Sequence, residues 1–116
     1  MDDIHQLRKL AIPLEGDASD YQELYESIDT ARFVLLGEAS HGTAEFYQER
    51  IKITKKLIMD DGFDAVVIEG DWPDSYRVNE YVHSRSSDAS GEAALLGFQR
   101  FPTWMWRNVE VLEFVE

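Results

Sequence analysis

Cysteine is absent from the 116 residues. That excludes a disulfide framework, a thiolate metal centre and a cysteine nucleophile, and it fits a reducing compartment. Positive charge is scarce: 11 Lys and Arg stand against 23 Asp and Glu, a formal net charge of −12. A surface that negative repels phosphate backbones. The closely spaced cations Arg50, Lys52, Lys55 and Lys56 share one short segment among many acids, so the pattern argues against a nucleic-acid partner. No apolar run approaches the ~20 residues that a bilayer crossing requires, and Met1-Asp2-Asp3 is acidic where a secretory signal is basic. With 44% apolar residues, the chain reads as one acidic globular domain with a cytoplasmic address and no membrane partner.

What the chain does carry is an alternation of helical and strand-like patterns. From Asp17, a candidate N-cap, Tyr21, Leu24, Tyr25 and Ile28 recur at three- and four-residue steps and predict an amphipathic helix. Arg32-Phe33-Val34-Leu35-Leu36-Gly37 is a continuous apolar run of the kind found in strands buried on both faces. Between Thr43 and Asp61, Phe46, Ile53 and Leu57 fall at helical spacing, Lys52, Lys55 and Lys56 supply a solvated side, and Gly62 is a C-cap signal. Ala65-Val66-Val67-Ile68 follows as a second buried-strand run. Strand, helix, strand predicts parallel strands joined by a right-handed crossover. A third helix is expected from Asp71 to about His83, with Pro73 in its first turn, where a missing N–H costs little. The polar stretch from Ser84 to Gly91 is expected to be a loop.

The segment from Phe98 to Glu116 carries Phe101, Trp104, Met105, Trp106, Leu112 and Val115, more large apolar surface than two short strands cover, and Val109 to Glu116 is helix-like without a stop signal. Two parallel strands also make a poor free-standing sheet. The expectation is therefore an α/β fold, parallel strands with crossover helices, in which residues 1–116 form the N-terminal part of one larger, three-layer α/β hydrolase-like domain. Self-association through the aromatic C-terminal segment is part of the same expectation.

In open parallel sheets, ligands bind beyond the carboxyl ends of the strands. Each apolar run delivers an acid to that edge: Glu38 in Gly37-Glu38-Ala39-Ser40-His41-Gly42, and Glu69 in Ile68-Glu69-Gly70-Asp71-Trp72. Arg50 lies between Phe46 and Ile53 on the inward stripe of the linking helix, where a guanidinium must find anions. Glu38, Arg50 and Glu69 around the imidazole of His41 would make a general-base site, because an unperturbed histidine titrates near working pH. Backbone N–H groups at Gly42 and Thr43 are candidate oxyanion donors, with Arg50 as an added electrophile. The competing reading is structural: the two acids cap helix starts and pair with Arg50, and His41 is a loop residue. The Phe98–Trp106 aromatics read as core or intrachain interface before they read as a ligand platform. His5 and His83 stand alone.

Sharper signatures are missing. Ser40 is not in a Gly-x-Ser-x-Gly elbow, and Gly37 and Gly42 have phosphate-loop spacing but are followed by Thr43-Ala44 where Lys and Ser or Thr are needed. Glu38, His41 and Glu69 match metal ligands by type, but Arg50 beside them would oppose a dication.

Four blocks in order resemble the erythromycin esterase family: Phe33-Val34-Leu35-Leu36-Gly37-Glu38-Ala39-Ser40-His41-Gly42-Thr43; Glu45-Phe46-Tyr47 with Arg50; Val67-Ile68-Glu69-Gly70-Asp71-Trp72; and Phe101-Pro102-Thr103-Trp104-Met105-Trp106-Arg107-Asn108. They span roughly residues 31 to 116, and the Gly-Glu-Ala-Ser-His-Gly-Thr block is the most specific. The resemblance implies a hydrolase of a small-molecule ester, in the best-known members the macrolactone of erythromycin. Such an enzyme uses a histidine-activated water and no cofactor. It makes His41 the base, supported by Glu38, Arg50 and Glu69, and it implies further active-site residues, histidine among them, in a later part of a much longer chain. Two alternatives stay open: a non-catalytic domain or binding module that keeps the cluster, and a metal-dependent hydrolase using the same acids.

Overall fold

Helices need only their own backbone to satisfy their hydrogen bonds, and they are what this chain builds. The computed structural model describes residues 3–17 and 19–116. They divide into two units, Met1–Leu35 and Leu36–Glu116, each compact in itself.

The first unit holds two short helices, α1 (Asp3–Leu10) and α2 (Gln22–Ile28). Helix α1 has Asp3 in its first turn and Arg8 and Lys9 in its last, the arrangement the helix dipole favours. Its Ile4, Leu7 and Leu10 are all exposed. Helix α2 starts later than the periodicity predicts, and Asp17 is not its N-cap. The Asp17 carboxylate accepts from the backbone N–H and hydroxyl of Ser19 at 2.7 and 2.6 Å, closing a local turn. The Asp20 carboxylate receives the N–H groups of Glu15 and Gly16 at 2.9 and 2.8 Å. With both acids engaged in turns, the helix begins after Tyr21 and buries Ile28.

The second unit contains α3 (Ala44–Met59), α4 (Trp72–Val82), α5 (Gly91–Leu95), a 3-10 turn (Thr103–Met105) and α6 (Val109–Val115). Helix α3 buries Ile53 and Leu57 on the predicted stripe. It is closed by Gly62, whose φ of +73° only glycine adopts without strain, and Phe63 N–H returns to the Leu57 carbonyl at 3.1 Å. Helix α4 carries Pro73 in its first turn as expected. The side chain of Asp71 makes no cap bond, and its carboxylate meets Arg100 at 3.1 Å. The loop after α4 is tied back to it: Arg77 holds the Asp88 carboxylate through Nε and Nη2, and Ser86 adds a third bond.

Helices α5 and α6 have side-chain caps, Ser90 receiving Ala93 N–H at 3.2 Å and Asn108 receiving Val111 N–H at 2.8 Å. They approach closely at Gly91, where a Cβ would lie 2.9 Å from Glu116 Cγ and 3.0 Å from Val115 Cγ2. Helix α5 packs on α4 and α6, and α6 packs on α3. The centre is a buried cluster of Leu95, Phe98 and Val111, with Tyr47, Val78, Trp106, Leu112 and Val115 around it. Phe98 and Trp106 thus belong to core packing, as the sequence indicates, while Phe101 is 85% exposed.

The expectation of an α/β fold is overturned. Among the described residues there is no strand and no sheet. The runs 32–37 and 65–68 are irregular, and Phe33, Leu35 and Val67 are 82%, 92% and 93% exposed. A strand exists only when its N–H and C=O groups pair with a neighbouring chain. An apolar run states the wish for burial without supplying that partner. The linking helix, whose bonds are internal, forms where predicted.

Candidate active site

The segment Gly37-Glu38-Ala39-Ser40-His41-Gly42-Thr43 leads directly into α3 and folds back on that helix's first turns. Ser40 Oγ accepts the Gly42 N–H at 3.2 Å, a local turn that brings His41 round toward Glu38. His41 Nε2 lies 3.4 Å from Glu38 Oε2. Arg50, two turns into α3, places Nη1 3.7 Å from Glu38 Oε1 and donates through Nη2 to the Gly37 carbonyl at 2.8 Å. The Glu38 carboxylate therefore sits between an imidazole and a guanidinium, with one oxygen toward each. The three side chains are 38%, 46% and 28% exposed for Glu38, His41 and Arg50. Exposed pairs of this kind contribute ~0–1 kcal/mol each, so their value lies in orientation more than in stability.

Glu38, His41 and Arg50 surround a hollow of about 10 Å3, room for roughly one water. Ser40, Phe46 and Tyr47 complete its wall. Tyr47 is the residue that sequence reasoning passed over. It stands three positions before Arg50 on α3, hence on the same face, and that spacing was the available signal. Its hydroxyl donates to the His41 carbonyl at 3.4 Å. Burial, and then the negative charge of Glu38, push the phenol above its ordinary pKa, so it stays protonated and remains a donor.

Glu69 is placed differently. It lines a second, more open hollow of about 360 Å3 together with Asp71, Phe98, Arg100, Phe101 and Trp106. Its backbone carbonyl accepts the Trp106 indole N–H at 3.0 Å. Among the described residues no ion pair links the Glu69 carboxylate to Arg50 or His41. The structure thus gathers Glu38, His41 and Arg50 at one corner and sets Glu69 at another. Among the described residues no three acidic or histidine side chains converge as metal ligands. No helix among them is long and apolar enough to cross a membrane.

A family model described as erythromycin esterase matches residues 58–116. That is just over half of the chain, which belongs to the erythromycin esterase family. Among individual proteins, it is similar to erythromycin esterase type II of Escherichia coli, with 30% identity over 74 residues, 64% of this chain and 18% of that protein. The chain therefore aligns with less than a fifth of the length of this relative. No solved structure matches. The family match takes in Glu69 and Trp106 and begins after Glu38, His41 and Arg50.

Proposed function

We propose that His41 is the general base of a metal-independent ester hydrolase, held by Glu38, with Arg50 and Glu69 as the other working side chains. The observation that carries the reading is the Glu38 carboxylate bridging His41 at 3.4 Å and Arg50 at 3.7 Å around a water-sized hollow. The imidazole takes a proton from water as the oxygen attacks the ester carbonyl. A C–O bond forms, and the carbonyl electrons move to oxygen, where the guanidinium of Arg50 and the N–H groups at the start of α3 oppose the developing charge. Collapse breaks the bond to the leaving alkoxide, which takes the proton back from the imidazolium, so one water and one ester yield one acid and one alcohol. Glu38 fixes the orientation of the ring during the proton transfer. Glu69 serves as a second acid, orienting the substrate or its water.

Family membership supports the reaction class. The Escherichia coli relative is named an erythromycin esterase, which makes the macrolactone of erythromycin the first substrate to try; macrolide resistance is the role that such an activity would serve. The absence of cysteine agrees with work in the cytoplasm.

The test is hydrolysis of para-nitrophenyl acetate and of erythromycin by the protein and its His41→Gln and His41→Ala variants. Turnover should fall by roughly 10²- to 10⁴-fold with an unchanged melting temperature and no response to chelator. Undiminished hydrolysis in either variant would remove His41 from the mechanism.

A further inference from the structure

Two aromatic side chains with polar tips run from the buried cluster of the second unit to the two acid-bearing corners. Tyr47 packs against the Leu95, Phe98 and Val111 cluster, and its hydroxyl reaches the His41 carbonyl at 3.4 Å. Trp106 packs against the same cluster, its ring 6.4 Å from that of Phe98, and its indole N–H reaches the Glu69 carbonyl at 3.0 Å. The second contact has no slack: a Cβ on Gly70 would lie 3.3 Å from Trp106 Nε1 and 3.0 Å from Ser75 Oγ. The planar peptide unit includes the residue's own Cα, so holding the carbonyl oxygen limits where that Cα, and with it the root of the side chain, can lie.

We propose that Tyr47 and Trp106 are positioning residues, one fixing the backbone of His41 and the other that of Glu69, so that a single apolar cluster gives both reactive side chains a common reference. The inference rests on the roles given above to His41 and Glu69. Neither aromatic side chain needs to touch substrate. A tyrosine or tryptophan with its ring in the core and its donor at the edge suits this task, since the packed ring fixes where the N–H or O–H can point.

The test uses Tyr47→Phe and Trp106→Phe, which keep an aromatic ring and delete the donor. Each should lower kcat for para-nitrophenyl acetate by roughly 10- to 100-fold with KM unchanged. Asp88→Asn, which unties the loop after α4 from Arg77 without touching the cluster or either corner, should lower the melting temperature and leave kcat alone. Independently of activity, the Trp106 indole N–H should exchange with deuterium far more slowly than that of Trp72, whose ring is exposed, and the amides of residues 69–71 should exchange faster in Trp106→Phe. The inference is overturned if His41→Gln and Glu69→Gln abolish turnover while both phenylalanine variants keep wild-type kcat, or if the two indole N–H groups exchange alike. If His41→Gln and Glu69→Gln themselves keep full turnover, it is the hydrolase reading that fails, and the exchange data alone then decide whether Trp106 holds Glu69.

Discussion

The His41 corner and the Glu69 corner hold their acids by opposite means. At the first, the Glu38 carboxylate itself is engaged, by an imidazole on one oxygen and a guanidinium on the other. At the second, the Glu69 backbone is gripped by an indole while no ion pair ties its carboxylate among the described residues. A carboxylate already committed to partners orients them. One whose backbone is fixed and whose head is unpaired is ready to receive something else. Under the proposed mechanism, the contrast suits Glu38 to support and Glu69 to contact with an incoming group.

The comparison breaks most readily at what the two corners share. Leu95→Ala empties part of the common cluster and should cost about 2–5 kcal/mol, read from the midpoint of urea unfolding. Because Tyr47 and Trp106 both lean on that cluster, activity should fall along with stability. Arg50→Gln acts on the first corner alone. It should reduce ester hydrolysis by about 10²-fold while changing the unfolding midpoint little, since the Arg50–Glu38 pair is partly exposed. Arg100→Gln, at the second corner, removes an ion pair whose arginine is 84% exposed, and its stability change should stay below about 1 kcal/mol. A larger loss from Arg100→Gln than from Leu95→Ala would reverse this order.

Two finer measurements sharpen the picture on α4, which follows Glu69. The bonds from Arg77, then that from Ser86, hold the Asp88 carboxyl at about 2 against an ordinary value of 3.8. A carboxyl whose folded pKa is depressed stabilises fully above its unfolded value and loses that contribution as pH falls through the folded one. Acid unfolding of the wild type and of Asp88→Asn should therefore diverge above pH 4 and converge as pH approaches 2. Equal stability of the two at pH 6 would refute the tie. Last and smallest, Ser75 Oγ is buried with no hydrogen-bond partner among the described residues. Ser75→Ala removes that orphan and improves helix propensity, so the melting temperature should rise slightly.

How much of this was readable beforehand follows from the range over which each signal acts. Helices α3, α4 and α6 lie within a residue or two of their predicted limits because their hydrogen bonds run from residue i to i−4, inside the segment that carries the pattern. Helix α5 is missed, since five residues show little periodicity and its cap, Ser90, falls in the stretch expected to be a loop. The strands failed because pairing depends on a partner that no window of sequence contains. Asp17 failed as a cap because Ser19, two residues on, competed for the same carboxylate. The grouping of Glu38, His41 and Arg50 was legible because two of them share a loop and the third lies one helical face away. The separation of Glu69 was not, because its expected place relied on the sheet edge that is not formed.

The unpaired run Ala65-Val66-Val67-Ile68 carries a practical corollary for purification. Four apolar, largely β-branched residues with an open backbone are a template for intermolecular strand growth. They are bracketed by Asp60, Asp61 and Asp64 on one side and Glu69 and Asp71 on the other, gatekeeper charges that make stacked copies repel. Lowering the pH toward the pI of about 4.5 cancels the net charge of the chain and with it the repulsion between copies, so concentrated stocks keep best in dilute buffer well above that value.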